Sequence, residues 1–229
     1  MLCMLRHTLT IFAVLALSAC SVLPDSGGNS SRQRTAQSAR PGQAVLPSSN
    51  AARQCFAQLG ASQASFSPLP DRFYGAGCST QNAVQLSALR SDNASLALSN
   101  LGPVACPLAN NFAAWARYGV DRAARVVLGS ELVRIETYGS YSCRNVAGSS
   151  RRSAHATANA IDVAAFVLAD GRRISVANGW SGGTRQEREF LRIVHESACK
   201  RFGTVLGPEY NADHRDHFHL EGSGSSFCR

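Results

Sequence analysis

The sequence predicts an α+β domain in which a small antiparallel sheet is flanked by helices packed on one side. Three observations predict it. Apolar and polar residues alternate over 132–138, the period of a half-buried strand. Asp170-Gly171 joins the stretches 160–168 and 173–176 at hairpin spacing. Two other stretches, after Pro107 and after Thr184, carry their apolar residues at helical spacing. Hairpins interspersed with helices argue against a parallel sheet.

Taken in order, residues 51–59 are a short helix candidate, and 83–89 alternate enough to be a strand. Pro107 suits the first turn of a helix, where its missing N–H has no partner to lose. Leu108, Phe112, Trp115 and Ala116 then share one face, and this helix can extend to Val127. Strand 132–138 follows. Residues 160–168 form a second, more apolar strand that turns back into 173–176. Thr184 and Glu187 have capping-box spacing. They open a helix over about 184–202 with Phe190, Leu191, Val194 and Ala198 on one face. Residues 204–206 and 217–220 are short final strands. No internal repeat is visible.

The 229 residues suffice for one ordinary domain with additions, and 45% hydrophobic with 17% charged residues argues against wholesale disorder. Lys+Arg exceeds Asp+Glu by 23 − 15, a net +8, and Lys200 is the only lysine. Basic charge raises nucleic acid as a partner. No nucleic-acid motif is present and the arginines are scattered, so nucleic acid is not expected. An anionic cell wall or lipid surface meets the same charge.

The first residues set the compartment. Arg6 precedes an apolar run over 9–17, interrupted only by Thr10, too short to span a bilayer and suited to a secretory signal. It ends in Leu17-Ser18-Ala19-Cys20, which resembles the bacterial lipobox. That resemblance implies a signal peptide over 1–19, lipidation of Cys20, and a membrane anchor. Ser21 in place of Asp after the cysteine implies the outer membrane, facing the periplasm. Residues 20–50 then read as a flexible Ser/Gly/Gln/Arg/Pro-rich tether, and 51–229 as the folded domain. Of eight cysteines, Cys3 leaves with the signal and Cys20 takes lipid. Cys55, Cys78, Cys106, Cys143, Cys199 and Cys228 remain, an even set in an oxidising compartment, which predicts three disulfides. Six cysteines allow about 15 pairings; the expected one is Cys55–Cys78, Cys106–Cys143 and Cys199–Cys228.

Four of the six histidines fall in two segments. The first runs Ser153-Ala154-His155 to Ala160-Ile161-Asp162, with His155 and Asp162 seven positions apart. Asp162 lies among apolar neighbours, where a lone carboxylate is costly unless a positive charge pairs with it. The second is His214-Arg215-Asp216-His217-Phe218-His219-Leu220, in which strand alternation puts His217 and His219 on one face and Asp216 on the other. Two imidazoles and one carboxylate leave one tetrahedral position open, the coordination of a catalytic zinc ion (Zn2+). His195, on the 184–202 helix, is expected as a surface or cap histidine.

The pattern Ser-x-His, six residues, Asp, and later His-x-His resembles the zinc peptidases that include lysostaphin-type endopeptidases, D-Ala-D-Ala carboxypeptidases and hedgehog domains. Within that group the chain is most similar to the bacterial extensin-like C-terminal family. The words that carry this are Tyr141-Ser142-Cys143-Arg144, Ala160-Ile161-Asp162, Phe190-Leu191-Arg192, Val205-Leu206-Gly207-Pro208 and Asp216-His217-Phe218-His219-Leu220, within residues 52–228. The resemblance implies a D-Ala-D-Ala peptidase/hedgehog-like fold. It implies zinc held by His155, Asp162 and His219, with His217 or Asp216 as general base and Arg144 facing the developing oxyanion. Tyr141, Ser153 and His214 would contact substrate. The implied activity is cleavage of peptide bonds in peptidoglycan stem peptides or cross-links. The alternative is a wall-binding lipoprotein that keeps the fold and cuts nothing. Relatives carry Glu and Gly where this chain has Ala154 and Ala158, which bears on the orientation of His155 and on backbone approach to substrate.

Overall fold

The described part of the computed structural model, residues 49–222 and 226–229, opens on helix α1 (Asn50–Ala61). Its cap is Ser49, whose hydroxyl accepts from the Ala52 N–H at 3.0 Å. The expected signal, Cys20 and nearly all of the expected tether lie outside the described residues. Among the described residues, no helix is long and apolar enough to cross a membrane.

Six strands follow: β1 (Ser65–Pro68), β2 (Arg72–Gly75), β3 (Cys78–Thr80), β4 (Ala83–Arg90), β5 (Ser95–Ser99) and β6 (Pro103–Ala105). Helix α2 (Cys106–Trp115) carries Pro107 in its first turn and continues through π-helical turns at Ala116–Asp121 and Ala124–Leu128. Gly129, left-handed at φ 69°, ends it. Then come β7 (Leu132–Gly139), β8 (Ala160–Leu168), β9 (Arg173–Ser175), α3 (Val176–Gly182), α4 (Arg185–Cys199), β10 (Thr204–Leu206), β11 (Phe218–Glu221) and β12 (Phe227–Cys228).

The main sheet has ten strands in the order β1-β4-β5-β7-β8-β11-β10-β12, with β6 beside β4 and β9 beside β8. Among the described strands only β5–β7 and β10–β12 pair in parallel. The molecule is therefore α+β with a mostly antiparallel sheet and four α-helices among the described residues. The β8–β9 hairpin turns at Gly171, which adopts φ 88°. The capping box is present: Thr184 Oγ1 accepts from Glu187 N–H at 3.2 Å, and Glu187 accepts from Thr184 N–H at 2.7 Å.

Trp115 anchors the core between sheet and helices. It is fully buried, meets Phe166 of β8 edge-on at 6.1 Å and Phe202 at 6.0 Å, and donates its indole N–H to the Val194 carbonyl of α4 at 3.2 Å. Strand β8 is buried throughout. Its register against β7 slips by one residue at Ala164, between the pairs Glu136↔Ala165 and Thr137↔Val163. The slip lets Ile161 and Val163 on one side of it, and Phe166 and Leu168 on the other, all reach the same core.

Two expectations need correction. The sheet is larger than expected, because β1, β5 and β6 join it, and β2 and β3 form a separate two-stranded sheet; each of these strands has only three to five residues, which gives little period to read. Helix α3 is a further addition to the expected elements. The disulfides are Cys55–Cys106, Cys78–Cys143 and Cys199–Cys228, with Cα–Cα distances of 6.1, 5.5 and 5.7 Å. Only the last matches the expected pairing. Pairing neighbours in sequence fails because α1 packs on α2, bringing Cys55 to Cys106. Likewise the β2–β3 hairpin lies against the 140–153 loop: Arg152 donates from Nε to the Ala76 carbonyl at 2.5 Å.

Candidate metal centre

Asp162 sits near the start of β8 and is directly opposite His219 of β11 in the antiparallel register. Facing residues on neighbouring strands bring their side chains together. His155 arrives from a 3-10 turn, Ala154–Thr157, just before β8. Ala158 closes that turn in the left-handed region at φ 54°, which swings the chain into the strand. The position where relatives carry Gly is thus one where Gly is the unstrained residue.

The three donor atoms converge. His219 Nδ1 lies 2.8 Å from Asp162 Oδ1, His155 Nε2 is 3.1 Å from Asp162 Oδ2, and the two nitrogens are 3.2 Å apart. Tetrahedral zinc with ligands at about 2.0–2.2 Å spaces its donors roughly 3.3 Å apart. The donor set therefore fits such an ion with shifts of a few tenths of an ångström. All three side chains are buried, at 2%, 9% and 6% exposure for His155, Asp162 and His219.

The outer contacts fit too. His155 Nδ1 donates to the Ser140 carbonyl at 2.6 Å, which leaves Nε2 free for a metal. His219 Nε2 donates to Glu221 at 2.9 Å, which leaves Nδ1 free. Each imidazole is thus oriented so that its inward nitrogen, which faces Asp162, is the one available to a metal once any proton on it is displaced. A backbone carbonyl orients His155, so the Ala at position 154 does not leave the ring unsupported.

Burial raises the Asp162 pKa, but hydrogen bonds from His155 and His219 outweigh it and hold the carboxyl far below the usual carboxylate range. Burial opposes charge on His219, yet its bonds to Asp162 and Glu221 push its pKa up to about 9. The site keeps its carboxylate charged by pairing it, as a buried carboxylate requires.

At the rim, His217 Nε2 is 3.6 Å from Asp162 Oδ1, and its Nδ1 is 2.8 Å from Asp216 Oδ1. The expected opposition of Asp216 and His217 is not seen. Residue 216 lies in a turn before β11 begins at Phe218, so strand alternation does not govern it. The ring of His214 is 5.2 Å from that of His217 and 5.6 Å from that of His219. Burial, with the His217 and His219 rings beside it, lowers its pKa to about 4.

A second group, His195, Cys199 and Cys228, also has metal-ligand types close together. Its sulfurs are joined in a disulfide, and His195 is half-buried against Trp180 and Phe218, so this group is structural. Burial lowers the His195 pKa.

The family model for extensin-like protein C-terminus matches residues 53–229. The chain belongs to the extensin-like C-terminal family. No curated protein and no solved structure matches it.

Other expected site residues of this extensin-like chain fall in three places. The Tyr141 ring lies tilted against that of Tyr74 of β2 at 5.2 Å, and its neighbour Ser142 donates its N–H to the His155 carbonyl. Ser153 is 6% exposed, and its hydroxyl accepts from the His155 N–H at 3.3 Å; it caps the ligand turn rather than opening to substrate. Arg144 is exposed, beside the Cys78–Cys143 bridge, and its guanidinium makes no hydrogen bond or ion pair among the described residues. Its backbone is tied to the centre, since Ser153 N–H donates to Arg144 O and Ser142 N–H to His155 O. Sequence reasoning missed Glu221, Tyr138 and Ser140. Glu221 was findable, two residues past His219 on the same face of a strand. The part played by Ser140 belongs to its carbonyl, which every residue has.

Proposed function

We propose that this extensin-like domain is a zinc-dependent hydrolase that cleaves peptide bonds in peptidoglycan stem peptides or cross-links, within the zinc peptidase superfamily. The observation that carries the reading is the convergence of His155, Asp162 and His219, with both imidazoles oriented from behind by Ser140 and Glu221. When bound, zinc polarises a carbonyl and activates water. His217, at the rim with Asp216 on its far nitrogen, can take a proton at Nε2 while the carboxylate steadies the charged ring. Arg144 is free to meet an anionic oxygen of the substrate. A lipid on Cys20 would hold the domain at the envelope, on the outer membrane facing the periplasm.

Exposed Phe73 and Tyr74, with Tyr141 tilted against Tyr74, favour a second reading, a wall-binding lipoprotein that does not cut. Incubating the protein with isolated sacculi, with zinc and with a chelator, and weighing the released fragments by mass spectrometry separates the two. Zinc-dependent release of peptide fragments is expected. Binding to sacculi with no fragment released under any condition would leave the binding reading.

A further inference from the structure

The face of the sheet that carries Asp162 also holds a cleft of about 460 Å3, whose walls include Arg134, Glu136, Tyr138, Ala164 and Arg173. It begins beside the metal centre. Ala164 is two residues past Asp162 on the same face of β8. The Tyr138 ring meets the His217 ring edge-on at 5.8 Å, so Tyr138 is the wall between rim and cleft.

The far end of the cleft has unequal charge. Arg173 Nη2 is 2.7 Å from Glu136, and Arg134 Nε is 3.8 Å from the same carboxylate. Two guanidiniums share one carboxylate, so one positive charge is left over. Both arginines are about half exposed, at 51% and 47% of their side chains, which leaves N–H donors turned to solvent. Glu136 faces Ala165 in the register, three residues past Asp162. Along a strand that is about 10 Å, the span of roughly three extended residues of a bound peptide.

We propose that this cleft is a subsite for a carboxylate on the substrate peptide, held by Arg134 and Arg173 about three residues from the bond at the metal centre. The ligand class follows from the cleft; its placement relative to a cleaved bond rests on the hydrolase reading above. Planar guanidiniums match a carboxylate with paired hydrogen bonds and discriminate against the neutral amide of the same shape. Glu136 sets the strength, because it competes with the ligand for both arginines.

The test measures binding rather than turnover. A muropeptide with a free carboxylate and the same muropeptide amidated at that position are titrated separately into the zinc-loaded protein. The carboxylate form should bind about tenfold tighter or more. Arg173→Gln and Arg134→Gln should each shrink that preference, and Glu136→Gln should widen it, all at unchanged zinc content. Equal binding of the two forms by the unaltered protein, or a preference untouched by either arginine change, overturns the subsite. So does failure of both forms to bind. A charge-dependent preference without any cleavage keeps the subsite and removes the hydrolase reading.

Discussion

At the scale of single residues, the ligands and their supports separate by what each change should do. Replacing His155, Asp162 or His219 with Ala should take zinc well below one per chain, read by elemental analysis. Glu221→Gln keeps the fold and all three ligands but weakens the acceptor that sets the His219 tautomer. Changes to such outer groups typically cost about 10- to 100-fold in metal affinity. A competition titration that finds the affinity unaltered would falsify that role.

The raised pKa of His219 adds a pH dependence with a definite sign. At neutral pH the metal-free ring is protonated, because its pKa is pushed up to about 9 by Asp162 and Glu221 against the cost of burial. Zinc must therefore displace a proton. Affinity should rise by about one log unit per pH unit between roughly pH 7 and 9 and flatten above. Calorimetry in buffers of different ionisation enthalpy should find about one proton released per zinc at pH 7; none released would contradict the charged pair. Turnover separates the remaining groups at matched zinc content. Arg144→Ala should lower single-turnover cleavage of a cross-linked muropeptide about 100- to 1000-fold if it meets the oxyanion. His217→Ala should be severe and Asp216→Asn milder, since Asp216 acts through His217. The reverse order would move the base to Asp216.

At the scale of elements, the long α2 segment is held to the sheet by a buried carboxylate. Asp121, fully buried, ends the first π-helical turn, accepts from the Leu132 N–H at the start of β7 at 3.0 Å, and pairs with Arg125 at 3.0 Å. Asp121→Ala leaves that N–H without an acceptor and leaves Arg125 only its pair with Glu131 at 2.7 Å, and should cost about 1–3 kcal/mol in denaturant unfolding. A loss under about 1 kcal/mol would show that the pair is not what joins helix to strand. The same segment packs tightly on α4, because a Cβ on Gly119 would collide with Ser197 and come within 3.0 Å of the Trp115 ring. Sequence reading reached α1, α2, α4 and the long strands β4, β7 and β8 because each repeats its period several times. It missed β1, β2, β3, β5, β6 and the seven-residue α3, whose few residues leave little period to read.

At the scale of the whole molecule, the three bridges tie parts distant in sequence: 51, 65 and 29 residues separate their cysteines. Loops of that size contribute about 3–5 kcal/mol each in the chain-entropy account. Peptide mapping without reduction should recover Cys55–Cys106, Cys78–Cys143 and Cys199–Cys228, and a Cys55–Cys78 peptide would refute the packing of α1 on α2. Reduced protein should melt well below the oxidised form.

Chemistry of the candidate centre was legible in the chain alone, because zinc-ligand types clustered in two short segments and an aspartate stood among apolar residues. Periodicity likewise determined the α+β class. Which cysteines pair, that Asp216 serves His217, and that Glu221 and the Ser140 carbonyl orient the imidazoles were decided only by tertiary structure. A local pattern records which face a side chain occupies, whereas these contacts depend on which strands become neighbours and on where β11 begins. The lone Asp162 finds its partner because β8 and β11 pair in one register, and a register belongs to two strands at once.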